Sequence, residues 1–500
     1  MASFRFFCIA FFCVIGFIPH YWRAEAACPK PIWLPLSNCT IARANTPTVD
    51  SWGTLLAVRS SGQELCLVPS TALNNSILMG VDVCRPDNRP NSTLDQCRSR
   101  RGGLLDVAAM GSSFIPIATS SLVPDDGWRM IMAPSQPFQQ AGKTTLNLLS
   151  DASIEMPVAI VTEGQNHTTS ELGLGLSSVF LQSLVDAGLI AARVFGLNAG
   201  SQSTAQPREG SLVLGGYDMA SISSHFTEYP MDYPLLEDIS NRVCPLQVKI
   251  RKLILRPADG DDITLSDEGS DIDACIEPYD NLFRLPTFAL DLFKQHTQWT
   301  SDTTEDPELL VPEPGLLYPS STGFNGSLLI SLNNDFEVEI PNAELQHPLR
   351  GIAANGTRVL NNNITEANVY FNSAPLQAAV LGKVFLSQVT LEEQTVLGKV
   401  YLAVDYDAKR FKLARQIQRD VTPNPVHLSP CSSNKLGVGS IAAIVIGSVL
   451  GLLIALLLWS GWYFRKRLEA IDWKVEHFPH SQNQTQTLPV QPVQPAQVTF

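Results

Sequence analysis

The sequence predicts a mostly-β exterior domain of two lobes, carried on one C-terminal membrane helix. Three observations predict it. Residues 28–418 are punctuated by Pro and Gly into many short β-rich runs, the pattern of a protein built from hairpins. That stretch of about 390 residues exceeds one compact core, which argues for lobes at about 47–240 and about 241–418. Finally, the 29 residues from Leu436 to Phe464 carry no charge, and about 20 apolar residues suffice to span a bilayer.

The N-terminus has a basic start at Arg5, an apolar run from Phe6 to Pro19 and the small-x-small segment Ala24-Glu25-Ala26. It reads as a signal peptide over residues 1–26. At the other end Trp459, Trp462 and Tyr463 lie at one edge of the charge-free run, and Arg465-Lys466-Arg467 follow at once. Interfacial aromatics with basic residues beyond them mark the cytoplasmic side, giving type I topology in the plasma membrane or the secretory and vacuolar pathway. Residues 419–435 read as a Pro-containing stalk and 465–500 as a disordered cytoplasmic tail. Within the span 436–464, Gly439, Ala443, Gly447 and Gly451 recur every four residues, a face suited to self-association. In the tail, Pro489, Pro492 and Pro495 form overlapping Pro-x-x-Pro units that an SH3-like groove could take.

The formal net charge of −13 argues against nucleic acid as a partner. Eight cysteines remain after the signal peptide, an even number that suits disulfides in an oxidising compartment. Seven Asn-x-Ser/Thr sequons, at Asn38, Asn74, Asn91, Asn166, Asn325, Asn355 and Asn363, predict a glycosylated surface. Two helices stand out among the strands. One runs from Ser177 to Ala187, capped by Ser177 or Ser178 and stopped at Gly188. The other spans Thr287–His296, with Phe288, Leu290, Leu292 and Phe293 facing inward. No histidine pair has the His-x-x-x-His spacing of a metal site, and no cofactor is expected.

Several stretches, in order, resemble the pepsin-like (A1) aspartic peptidases, specifically their membrane-anchored fungal branch. They are Glu171-Leu-Gly-Leu-Gly-Leu176 with Gly188-Leu-Ile-Ala191, Gly210-Ser-Leu-Val-Leu-Gly-Gly-Tyr-Asp218, Val380-Leu-Gly-Lys-Val-Phe-Leu386, and Tyr401-Leu-Ala-Val-Asp-Tyr-Asp407 with Phe411-Lys-Leu-Ala414. The resemblance implies a bilobal acid-protease fold with a central substrate cleft. It also implies two Asp-Thr-Gly triplets, and neither is present. Where the first belongs, the chain reads Val68-Pro69-Ser70-Thr71-Ala72, so Pro69 or Ser70 takes the Asp position. Where the second belongs, Glu277 takes the Asp position, followed by Pro278 and Tyr279.

Two carboxylates sharing one proton are the chemistry of this family, and one carboxylate cannot supply it. No catalytic residue is therefore expected. Cys84 with Cys97 follows from the resemblance, and Cys244 with Cys275 brackets the strands leading to Glu277. Cys28 with Cys39 rests on proximity alone, and Cys66 and Cys431 stay unassigned. The segment Val380-Leu-Gly-Lys-Val384 recurs as Val396-Leu-Gly-Lys-Val400, which suggests a 12-residue insertion over 389–400. The function expected is a proteolytically inactive surface glycoprotein that binds peptide or cell-wall ligands. The alternatives are a divergent active aspartic endopeptidase and a purely structural glycoprotein.

Overall fold

A computed structural model describes residues 28–41, 48–88, 92–124, 139–148, 152–163, 169–201, 203–204, 207–231, 244–266, 270–300, 308–371, 378–387, 400–416, 422–428 and 438–475. The expected signal peptide, Asn91, Asn166, the prolines at 489, 492 and 495 and nearly all of the expected insertion fall outside them. Two units are distinguished, Met1–Cys431 and Ser432–Phe500.

The first unit is mostly β. Its opening strand, Ile32–Ile41, shows why: Ile32, Leu34 and Leu36 alternate inward while the residues between them face outward, a period of two. Six strands pair in the order Thr227–Pro230, Arg410–Arg415, Val400–Asp405, Val194–Asn198, Gly210–Leu214 and Ile32–Ile41. Four come from the first half of the chain and two from its second, and the halves meet where Leu402 faces Leu197 and Val404 faces Phe195. Gly196 is required at that seam, since a Cβ there would lie 2.3 Å from the Tyr401 hydroxyl.

Each half then repeats one strand pattern. In the first, Glu64–Ser70 runs parallel to Glu171–Gly173, which lies antiparallel to Ile77–Met79, itself parallel to Ser153–Val161. In the second, Ile272–Ile276 runs parallel to Ala379–Leu381, which lies antiparallel to Phe283–Leu285, itself parallel to Val369–Phe371. Parallel neighbours need long crossovers. Two identical sets of them in one chain make the halves topological duplicates.

The helix expected near Ser177 forms over Val179–Asp186, and the Ser178 hydroxyl accepts the Leu181 amide as its cap. The helix Thr287–His296 also forms, but its buried face is Ala289, Leu290 and Phe293. Phe288 and Leu292 are only half-buried, because they flank that stripe.

Three expectations are corrected. Cys39 pairs with Cys66, not Cys28, and the extended strand already carries Cys39 about 23 Å from Ile32; Cys28 is itself disulfide-bonded. The pairs Cys84–Cys97 and Cys244–Cys275 form as expected. The first half begins before residue 47, because Ile32–Ile41 belongs to the central sheet. The stalk does not start at 419: Pro425–Val426 pairs with Tyr217–Asp218, and Leu428 packs beside Tyr401.

The second unit contains the helix Val438–Val475, which continues past Arg467 into residues expected to be disordered. Among the described residues, no helix is long and apolar enough to cross a membrane. The span expected over 436–464 is thus not supported there.

Candidate functional site

The duplicated strands deliver two loops to one place. Leaving Glu64–Ser70, the first loop sends the Leu73 carbonyl to the Gly175 amide at 2.7 Å. Leaving Ile272–Ile276, the second sends the Asp280 carbonyl to the Lys383 amide at 2.5 Å. Ser70 is in register with Gly173, and Glu277 follows the Ile276–Leu381 pair and so stands beside Gly382, the glycine that follows the matching strand. That settles the register of the first loop. Ser70 is the counterpart of Glu277, and Pro69 lies inside the strand, in register with Leu172.

Gly382 allows the second loop to close. A Cβ there would sit 2.1 Å from the Leu282 carbonyl oxygen. Tyr279 stands where the resemblance implies a glycine, and its φ is negative, so the turn does not use a left-handed residue here.

Glu277 is only 2 % exposed, and donors from both halves surround its carboxyl. Oε1 accepts the Thr71 amide at 3.2 Å and the Tyr279 amide at 2.9 Å. Oε2 lies 2.8 Å from the Thr71 hydroxyl, which is also 3.0 Å from the Ile276 carbonyl oxygen. That hydroxyl has one proton and a carbonyl oxygen cannot donate. When the proton points at Ile276, the contact with Glu277 closes only if Glu277 is protonated. Burial agrees with this, pushing the Glu277 carboxyl up to about 7 against the stabilising bonds from Tyr279 and Thr71.

Ser70 contributes no charge. Its hydroxyl is buried and has no hydrogen-bond partner among the described residues. The acid from the first half whose charge reaches Glu277 is Glu171, which is 3 % exposed and in register with Val68. Glu171 lies two residues before Gly173, the neighbour of Ser70, and so does not take the Ser70 position. Behind the second loop, Asp280 pairs with Arg284, and Arg284 reaches Glu313 at 3.5 Å.

Sequence reasoning placed Glu277, left the first position open between Pro69 and Ser70, and missed Thr71 and Glu171. Thr71 could have been found as the Thr of a degenerate triplet. Glu171 was hidden inside a strand motif, where an acid has no local signature. Among the described residues no group of three or more His, Cys, Asp or Glu side chains could hold a metal ion.

Of the sequon asparagines, Asn38, Asn325, Asn355 and Asn363 are exposed. Asn74 is corrected: it is 1 % exposed, donating to the Pro124 carbonyl at 2.8 Å and accepting the Ser177 amide at 2.9 Å. Its amide is a structural strut and leaves no room for a glycan.

No family model matches the chain, and no curated protein matches its sequence.

Proposed function

We propose that the chain is a pepsin-like glycoprotein whose former catalytic centre has become a structural clamp, and which acts by binding rather than by hydrolysis. One observation carries this. The only carboxyl at the two triplet positions, Glu277, is spent on Thr71 and Tyr279, and its counterpart is the uncharged Ser70. A water between them would meet one occupied carboxyl and one hydroxyl, without the shared proton that aspartic proteolysis uses. The duplicated halves and the central six-stranded sheet support the bilobal acid-protease reading. The ligand class in this reading is a peptide or cell-wall polymer lying in the cleft.

A signal peptide over 1–26 and a span over 436–464 complete the type I reading, supported by the charge-free run and its aromatic and basic border. The small-residue face of that span and the prolines of the tail are the contacts it offers to a second copy and to an SH3-like partner.

The test is a cleavage assay on the purified exterior portion between pH 3 and 6. No turnover is expected. Pepstatin-sensitive cleavage that disappears in Glu277→Ala would overturn the proposal. Peptide-library binding by the same folded sample separates a binder from a purely structural glycoprotein.

A further inference from the structure

The clamp is not the only buried polar feature between the loops and the helices. Where the helix Leu94–Arg101 ends, the chain lies against the approach to Glu171–Gly173. The Ser170 amide donates to the Arg101 carbonyl at 3.0 Å, and the Cys66 amide to the Gly102 carbonyl at 2.7 Å. The packing is tight enough that a Cβ on Gly102 would meet the Thr169 hydroxyl at 2.9 Å. Three side chains gathered at this junction have polar atoms that are buried and lack hydrogen-bond partners among the described residues: Arg101 with Nε and Nη1, Arg100 with Nε, and Thr169 with its hydroxyl.

Arg101 is the telling member. It is only 3 % exposed, so its guanidinium has left water. A buried charge with neither a counter-ion nor hydrogen bonds costs several kcal/mol, and native interiors rarely tolerate it. The neighbouring charge does not help. Burial first, and then Arg100, hold the Arg101 guanidinium down to about 10, and Tyr279 of the second loop eases it only in part. Two guanidinium groups and a hydroxyl, all with unused donors, are the complement of a planar or tetrahedral oxyanion. Arg100 and Thr169 are half-buried, with their Nε and hydroxyl donors turned into the interior.

We infer that Arg100, Arg101 and Thr169 form a binding site for an oxyanion, a carboxylate or phosphate group, at the junction of the helix end and the strand Glu171–Gly173. Arg101 supplies paired N–H donors, Arg100 a second cation, and Thr169 an O–H donor. Anion capture here does not depend on what the cleft itself binds.

The experiment uses the full chain purified in neutral detergent, with thermal unfolding followed against rising inorganic phosphate, acetate or a short glutamate peptide, each beside sodium chloride of equal ionic strength. A saturable rise in Tm beyond the chloride control is expected for at least one oxyanion. The arm that responds identifies the source: phosphate alone a free or esterified phosphate, acetate or the peptide a carboxylate. Arg101→Met should abolish the rise. Because it removes an uncompensated buried charge, it should also unfold no earlier than the wild type in buffer without oxyanion. Thr169→Val keeps the shape and should shift half-saturation by about tenfold, the loss of one charge-assisted bond. No response in any arm, or an equal response in Arg101→Met, overturns the inference. So does an Arg101→Met chain that is much less stable without oxyanion, which would mark Arg101 as a packing residue.

Discussion

Glu277 behaves unlike a surface acid because its neutral form fits and its charged form does not. Its folded pKa of about 7 lies above the ordinary 4.5. The stability this group contributes is therefore complete below pH 4.5 and is lost as the pH rises through about 7. The full difference is on the order of 3 kcal/mol. Glu277→Gln should test this directly. The amide oxygen can still accept from Thr71 and Tyr279, and the amide nitrogen can donate to the Thr71 hydroxyl while that hydroxyl faces Ile276. Urea denaturation of Glu277→Gln should match the wild type at pH 5 and exceed it at pH 8. Glu277→Ala should lose stability at both pH values, by about 2 to 4 kcal/mol, because it leaves two amides buried without acceptors. A Gln variant weaker than the wild type at pH 8 would show that the carboxylate, not the acid, is the working form.

At the scale of elements, the short strand Pro425–Val426 shows how close approach decides an edge. Gly216 lies under it, and a Cβ at 216 would come within 2.1 Å of the Val426 carbonyl oxygen. Gly216→Ala should lift the strand and release the Asn424 amide from Asp218, which it now reaches at 2.8 Å. The expected loss is about 1 to 3 kcal/mol, together with new proteolytic cleavage between 419 and 428. Unchanged protease resistance would count against the docking. The sequence did not reveal this strand, because two residues in a Pro-rich segment carry no periodicity and their partner lies on the far side of the second half. The helix Val179–Asp186 was legible because its signals are local: a serine cap, an apolar stripe and a terminal glycine. Cys39–Cys66 and the burial of Asn74 were illegible for the same reason as the strand. Both depend on which segments meet in space, and a sequon or a cysteine is the same string whether it faces water or a neighbouring loop. At the site, Glu277 could be placed because the resemblance implies a Pro nine residues after the Asp position, and Pro286 stands nine residues after Glu277. Its protonated state depends on Thr71, which only the fold brings across.

At the scale of the first unit, duplication suggests two separable modules, yet the strand order argues otherwise. Thr227–Pro230 belongs to the first half in sequence but pairs with Arg410–Arg415 of the second, with Tyr229 stacked on Phe411 at 5.1 Å. Val194–Asn198 pairs with Val400–Asp405, and Thr71 crosses to Glu277. One apolar cluster extends from Leu34 through Leu197 and Tyr229 to Leu402 and Phe411. A half expressed alone would leave open strand edges and the apolar faces of Leu197 and Tyr229 in water. Residues 28–231 and 244–431 should therefore aggregate when made separately and form one soluble 1:1 complex when made together. A protease site placed between Met231 and Cys244 should leave cleaved chains that migrate as one species in gel filtration and unfold in a single transition. Two transitions, or a soluble monomeric first half, would mean that the halves fold independently and that the central sheet and the clamp only dock them.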